Sequence, residues 1–500
     1  MQSSAILQRF RAAASRYPDR PAIIGSESSI SYSELERRAA GVARRIVERV
    51  QSPAIALLHA NSPEFVPLFL GAIWAGKTVA VLPTLAPPPL LKLMAMEACC
   101  ELVVCGPEFE AAMQGVGMPY WVGDSSADTD TSLISPQPAP SHPQSAKIGQ
   151  TGGPAGAAVI LYTSGTTGRP KAVALSEQNL LSNVDGCKEA TGFDQSRTML
   201  AVLPLFHSYG LTVTLLLPLT EGASVVLPER FIPRQVLQLV EQHRVACLLC
   251  VPGQFRLLVK DPTPIDSSSL WLCVSGAERL PESVAQEFQQ RFNYPLIQGY
   301  GATELSPVVS FTGAGDYAAG SVGRPLHNIE VTIRGEEDEV LGTGEIGEVC
   351  VSGPSVMLGY LGDPEATAKK IRNGVLHTGD KGYLDEAGFL YLAGRSDDLL
   401  KISGEKVYPS EVENALEMID GVEETAVIAL PDEKHGARLH AFVHLRPGAD
   451  IKEAALRATC REMLEQHKVP RSFSFVPQMP RTATGKTDKR ALAATLTTVG

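Results

Sequence analysis

Apolar residues fall along this chain in two rhythms. Short, nearly unbroken apolar runs at 54–58, 78–82 and 158–162 have the length and β-branched content of buried strands. Between the first two lies an apolar stretch, 62–74, long enough for a helix. Strand, helix and strand thus follow at the spacing of a parallel βαβ unit. Upstream, 35–47 is amphipathic with helical period, and Ser33 with Glu36 fits a capping box at its start. Strand-like runs return at 199–203, 224–227, 246–251, 270–275 and 296–298. Residues 320–394 hold shorter strands separated by Gly turns, which predicts a β-rich subdomain, a distorted barrel. Residues 399–500 read as a separate α+β unit. Its first helix, 410–418, places Val412, Ala415, Leu416 and Ile419 on one face; strands at 424–430 and 440–445 and a helix at 450–466 follow. The expected fold class is α/β: a large N-terminal domain of stacked βαβ-type sheets plus a distorted β-barrel, then a small α+β C-terminal domain.

Composition narrows the function classes. Residues 124–157 interrupt the pattern with Pro136, Pro138, Pro140 and Pro143 among Ser, Thr, Asp and Gly, the composition of a linker. The 500 residues carry 44 Lys+Arg against 55 Asp+Glu, a net charge of −11, with no long basic run and only 6% aromatics. That balance argues against a nucleic-acid binder. No apolar window reaches the length of a membrane span, and the first twenty or so residues lack the apolar core of a secretory signal. Nine cysteines sit scattered in apolar stretches, as buried thiols of a reducing cytoplasm do. Cys247 and Cys250 form a CxxC, but inside a strand-like run rather than a loop, so they read as core residues.

Four clusters carry chemistry. The first is 162–171, Tyr-Thr-Ser-Gly-Thr-Thr-Gly-Arg-Pro-Lys, following a predicted strand. Its glycines allow tight turning, its hydroxyls and amides can wrap an anion, and Lys171 adds a fixed positive charge. It is not the GxxxxGK[ST] loop of a phosphotransferase. The second, 298–304, offers Tyr300 to stack on a flat base, Thr303 to meet a phosphate oxygen and Glu304 to hold Mg²⁺, a hard cation suited to carboxylate and phosphate oxygens. The third joins 377–380, His-Thr-Gly-Asp, to 394–398, where Asp380 and Arg395 could clamp ribose hydroxyls or form a plain surface ion pair. The fourth, 480–486, presents Lys486 from a Thr/Gly-rich loop in the C-terminal unit. Two tempting signals carry nothing. The literal GxGxxG at 342–347 precedes a strand rather than a helix, and His440 and His444 merely share one side of a strand.

Taken in chain order, these clusters resemble the adenylate-forming superfamily of acyl- and aryl-CoA synthetases, peptide-synthetase adenylation domains and firefly luciferase. The likeness runs from about residue 30 to 492 and includes the Pro-Leu-Phe-His-Ser-Tyr-Gly segment at 204–210 and the long 394–413 stretch. It implies ATP bound at the ends of the strands. Thr163, Ser164, Gly165, Thr166, Thr167, Gly168 and Lys171 would hold the pyrophosphate portion. Gly276, Ala277 and Glu278 would pass along the adenine, Tyr300 would stack on it, and Gly301 would also belong to the nucleotide site. Thr303 and Glu304 would serve the α-phosphate and Mg²⁺; Asp380 and Arg395 would take the ribose. Lys486 would bridge the substrate carboxylate and the α-phosphate. Asp397 matches the hinge position, which gives domains of 1–395 and 399–500 around a 396–398 hinge and makes the second a mobile unit. Lys401 and Gly404 would line the tunnel for a pantetheine thiol.

The resemblance also bears on substrate. Amino-acid-activating members carry an Asp after the aromatic residue of the Pro-Leu-Phe segment, to pair with an ammonium that cannot be buried alone. Here Phe206 is followed by His207, which fits the aromatic gate beside a carboxylate. The expected substrate is a carboxylic acid with no α-amino group: a fatty acid first, an aryl acid as the alternative. The acceptor is CoA or, alternatively, phosphopantetheine on an acyl carrier protein. Lys468, Arg471, Lys489 and Arg490 form a basic set that either partner could meet, or a solvated charged surface. A reading of a different class, a non-catalytic nucleotide sensor, is opposed by the presence of Lys486, Glu304, Asp380 and Arg395.

Overall fold

The computed structural model describes residues 4–26, 28–123, 156–163, 170–311, 318–395, 400–402, 405–432, 436–481 and 487–497. The linker expected at 124–157 falls almost wholly outside them. Two large sheets dominate. One has seven strands, with Thr78–Val81, Ala54–Leu58 and Cys100–Cys105 at its centre. The predicted βαβ unit is there: Ala54–Leu58 pairs in parallel with Thr78–Val81, and helix Phe65–Trp74 crosses between them. That helix is apolar all round because it is buried nearly all round, packed against helix Tyr32–Arg49. The contact is close: a Cβ on Gly71 would meet Val42 Cγ1 at 2.5 Å. The cap of Tyr32–Arg49 lies two residues before the expected one. The Ser31 side chain accepts from the Glu34 N–H, so the helix begins at Tyr32, whose ring is fully buried.

The second sheet has nine strands. The strands predicted near 199, 225, 247, 272 and 297 run parallel in its middle, for example Leu248↔Cys273 and Val274↔Ile297. Cys247–Cys250 is a fully buried strand, and burial pushes both thiols well above the ordinary range, so neither is a reactive pair. A single apolar cluster runs through both sheets, from Val79 and Val159 to Met199 and Val274. None of the nine cysteines is paired.

The β-rich subdomain is a five-stranded sheet paired antiparallel throughout, half-barrel-like rather than closed: Glu330–Arg334, Gly347–Ser352, Val375–Leu384, Ile371–Arg372 and Leu390–Arg395. The Gly-rich 342–347 turn leads straight into the second of these strands. The C-terminal part has its own core, built by Val412, Leu416, Val427, Ala441 and Leu456 from helices Pro409–Glu417 and Glu453–Met463 and a three-stranded sheet. It touches the larger part through ion pairs: Lys260–Glu423 at 2.6 Å, Arg256–Glu424 and Arg446–Glu287 at 3.3 Å, Arg279–Glu417 at 3.8 Å. Among the described residues, no helix is long and apolar enough to cross a membrane.

Candidate active site

The first cluster is a hairpin. Strands Val159–Thr163 and Lys171–Leu175 pair antiparallel, with Thr163 opposite Lys171, so the loop between them leaves and re-enters at one sheet edge. Ser164, Gly165, Thr166, Thr167 and Gly168 lie outside the described residues. Lys171 sets its Nζ over the Tyr360 ring, 4.7 Å from the centroid. The Tyr360 hydroxyl in turn donates to Glu304 Oε1 at 2.8 Å. One tyrosine therefore couples the hairpin expected to hold phosphate to the carboxylate expected at the metal. Burial, and then the Glu304 charge, push the Tyr360 hydroxyl well above its usual range, so it stays a donor.

The second and third clusters meet directly. The Tyr300 hydroxyl donates to Asp380 Oδ2 at 2.5 Å, while Arg395 Nε lies 3.1 Å from Asp380 Oδ1. Asp380 and Arg395 are also register partners on adjacent strands. Burial chiefly, with Asp380 adding to it, raises the Tyr300 pKa. Gly301 is required for local reasons: a Cβ there would lie 2.2 Å from the Pro307 carbonyl oxygen. Gly276 is likewise pressed against the Tyr209 ring, 2.7 Å from a would-be Cβ. Ala277 follows with φ +69°, and Ala277 and Glu278 line the same cavity.

That cavity has a volume of about 1130 Å³. Thr163, Lys171, His207, Gly276 and Tyr300 open onto it, as do Gly301, Thr303, Glu304, Asp380 and Arg395. Residues from seven separate stretches of sequence thus share one space. Lys486, Asp397 and Gly404 lie outside the described residues; of Lys401 only the backbone, in strand Leu400–Ile402, is described.

Sequence reasoning missed several participants. Ser208 is buried and shares a hydrogen bond with Thr303 Oγ1 at 3.2 Å. Lys370 Nζ donates to the Thr378 carbonyl at 2.6 Å and lines the cavity near Glu304 and Asp380; burial lowers its pKa. Tyr360 and Lys370 stand outside every motif, and only the pairing of strand Gly359–Tyr360 with Lys171–Leu175 brings the tyrosine in. Ser208 sat beside His207 in plain view. Three of the four in the basic set are internally engaged: Lys468 with Glu411 and Glu465, Lys489 with Glu413, and Arg471 3.9 Å from Asp432.

From its polar end the cavity continues into an apolar one. Leu272, Val274 and Gly276 of a single strand and its exit all line it. Four residue steps span about 13 Å, so the space is a channel rather than a dimple. Phe193, Met199, Val213, Leu217, Phe311 and Val322, all uncharged, line it as well. The helix that supplies Val213 and Leu217 begins with π-helical turns over Tyr209–Leu216, a wide geometry that recurs beside functional sites.

The comparisons place this fold among the AMP-forming acid–thiol ligases. Residues 10–361 match the model of the AMP-binding enzyme family, and residues 411–486 match the AMP-binding enzyme C-terminal domain. The chain belongs to the AMP-binding enzyme family. It is 37% identical over 342 residues to a long-chain-fatty-acid–CoA ligase of Bacillus subtilis, a match covering 67% of this chain and 61% of that protein. Along nearly its whole length it is 30% identical to a sulfoacetate–CoA ligase of Cupriavidus necator, covering 96% and 95%. Among solved structures, ATP-bound MatB from Rhodopseudomonas palustris superposes with a TM-score of 0.87 at 28% identity, covering 99% of each chain.

Proposed function

We propose that this protein activates a largely apolar carboxylic acid with no second charged group, a fatty acid in the first instance, and transfers its acyl group to CoA. A carboxylate oxygen attacks the α-phosphorus of ATP and pyrophosphate leaves. The thiol sulfur then attacks the acyl carbon, AMP leaves, and the thiol proton passes to solvent. The observation that carries this reading is the single cavity in which a polar, phosphate- and ribose-suited end opens into a channel walled by uncharged side chains.

Each residue has a task in this scheme. Tyr300 offers its face to the adenine while its hydroxyl fixes Asp380; Asp380, braced by Arg395, receives ribose hydroxyls. Lys171 and the hairpin take the pyrophosphate end. Thr303 and the Glu304 carboxylate are hard oxygen donors and fit Mg²⁺, with Tyr360 orienting Glu304 from behind. When bound, the ion neutralises phosphate charge. His207, tilted against Phe206 with ring centroids 4.5 Å apart, lines the same cavity and serves as the aromatic gate beside the carboxylate. Lys486 meets both anions in the first step, and the 399–500 unit turns about Asp397 so that the Lys401–Gly404 region lines the thiol path for the second.

The relatives bear the names of CoA ligases, which favours CoA over a carrier protein. Their acids differ widely, so the channel must decide among them. A second charged group, as in sulfoacetate, would lie unpaired against Phe193, Met199 and Leu217. The test is pyrophosphate release with a panel of acids, each with CoA or a carrier protein as acceptor. Medium- or long-chain fatty acids with CoA should lead. Highest kcat/KM for a short dianionic acid, or for a carrier protein, would overturn the reading.

A further inference from the structure

Away from the cavity, the half-barrel-like sheet holds a second group of donors that the adenylation chemistry does not use. Cys350 and His377 face each other as register partners on adjacent strands, and Glu348 precedes Cys350 by two residues on the same face. Cys350 Sγ lies 3.4 Å from His377 Nδ1, and Glu348 Oε2 lies 3.2 Å from that same nitrogen. All three ligating atoms fall within 4.8 Å of one another. Edges of about 3.2–3.5 Å are what a tetrahedral ion with roughly 2.0–2.3 Å bonds to N, O and S requires. The thiol and imidazole are buried, and Glu348 reaches toward solvent.

A second observation lies on the far side of the ring. His377 Nε2 is buried and has no hydrogen-bond partner, yet it points toward Asp338 Oδ1 at 3.7 Å, too long for a bond. Asp338 is steadied by Arg334 at 3.2 Å. An imidazole coordinating through Nδ1 carries its proton on Nε2, and a carboxylate there is the usual outer partner of a metal-bound histidine. The orphaned nitrogen thus has an acceptor waiting in the place metal binding would use.

We propose that Glu348, Cys350 and His377 bind a transition-metal ion of the zinc type, with Asp338 as the outer carboxylate and water in the fourth position. The donor set decides the class: one thiolate, one imidazole and one carboxylate suit Zn²⁺ or Co²⁺ and not Mg²⁺. Binding replaces the Cys350 S–H bond by a metal–sulfur bond and releases its proton to the buffer. Glu348 Oε1 meanwhile accepts the Gly379 N–H at 2.9 Å, one residue before Asp380. The ion would therefore pin the strand pair that presents the ribose carboxylate. The proposal is independent of which acid is activated.

The experiment uses the full chain, stripped with chelator and kept in excess Mg²⁺ to cover Glu304. Co²⁺ is titrated in while the near-ultraviolet thiolate-to-cobalt band is followed, and Zn²⁺ is tested for its effect on Tm. The band should saturate at one equivalent, persist in Cys99→Ser, which alters the one cysteine that is not buried, and vanish in Cys350→Ser. Asp338→Asn, at a half-exposed side chain where folding is not at risk, should weaken Co²⁺ binding about 10- to 100-fold. Zn²⁺ should raise the Tm of the wild type and not of Cys350→Ser. Absence of the band, its survival in Cys350→Ser, or an unchanged Co²⁺ affinity in Asp338→Asn would each overturn the proposal.

Discussion

The two ends of the cavity are built by different physics. At the polar end, proposed for the nucleotide, the side chains hold one another: Tyr300 to Asp380 to Arg395, Tyr360 to Glu304, Ser208 to Thr303, Lys370 to the Thr378 carbonyl. Each group arrives oriented before any ligand does, and preorganised donors and charges are what stabilise a transition state between anions. At the apolar end, proposed for the acyl chain, nothing is oriented. Phe193, Met199, Val213 and Leu217 offer surface and volume, and an acyl chain gains about 0.8 kcal/mol per buried methylene with little regard to direction. Chemistry is therefore fixed by contacts between particular atoms, whereas substrate choice rests on the shape of a channel. That difference explains why relatives of one family bear the names of a long-chain fatty acid and of sulfoacetate.

Substitutions at the two ends should behave differently, and the largest effect belongs to the charged end. Lys486→Ala should slow acyl-adenylate formation about a hundred- to a thousand-fold, as loss of one preorganised charge does. It should leave thioester formation from supplied acyl-AMP nearly intact. Pyrophosphate exchange and thioester yield, measured separately, check this; equal slowing of both steps would remove Lys486 from the first half-reaction. Glu304→Gln should follow with a large loss that excess Mg²⁺ does not restore. Tyr360→Phe removes only the hydrogen bond behind Glu304. A bond to a charged group contributes roughly 1.5–3 kcal/mol, which is about ten- to a hundred-fold in rate. Its effect should shrink as Mg²⁺ is raised, and a Mg²⁺ titration of kcat separates the two variants.

The acyl end should yield smaller and more selective changes. Val213→Phe shortens the channel without touching a polar group. It should depress kcat/KM for long-chain acids by at least tenfold, spare short ones, and leave KM for ATP unchanged. A uniform loss across chain lengths would mean that Val213 supports the site rather than measures the chain.

The smallest expected effect is at the seam between the two parts of the chain. Burial, opposed by Arg279, lifts the Glu417 carboxyl to about 7, with Glu413 and Arg256 also facing it and the Thr425 N–H bonded to it. A carboxyl raised on folding favours its protonated form. Its contribution is full below its ordinary value near 4.5 and is lost as pH rises through about 7. The Tm of the wild type should therefore fall relative to Glu417→Gln across that window, read by thermal unfolding of both from pH 4.5 to pH 8.

Much of this was legible in the sequence because strands here are buried on both faces. The runs at 54–58 and 246–251 could hardly be anything else, and the parallel order followed from their spacing. The helix start at Tyr32 was missed because Ser31 and Ser33 both satisfy the cap pattern, and only the buried ring of Tyr32 chooses between them. At the site, residues within motifs could be named, and twelve distinct positions of the described chain meet in one cavity, including Thr163, Glu304 and Asp380. Tyr360 and Lys370 could not be named. Their roles come from strand pairing and helix placement across long sequence separations, which local pattern does not encode. The channel was inaccessible for the same reason: Phe193 and Val322 are ordinary apolar residues until the fold brings them to the lining of one cavity.

The most direct test of the central claim is a chain-length series of saturated fatty acids assayed for ATP-dependent acyl-CoA formation, with a sulfonated two-carbon acid and a free α-amino acid as comparators. An apolar channel joined to an adenylating end predicts kcat/KM rising with each added methylene by up to about fourfold, the equivalent of about 0.8 kcal/mol, until the channel is full. Both charged comparators should be orders of magnitude poorer. A flat dependence on chain length, or a comparator as good as the best fatty acid, would contradict it.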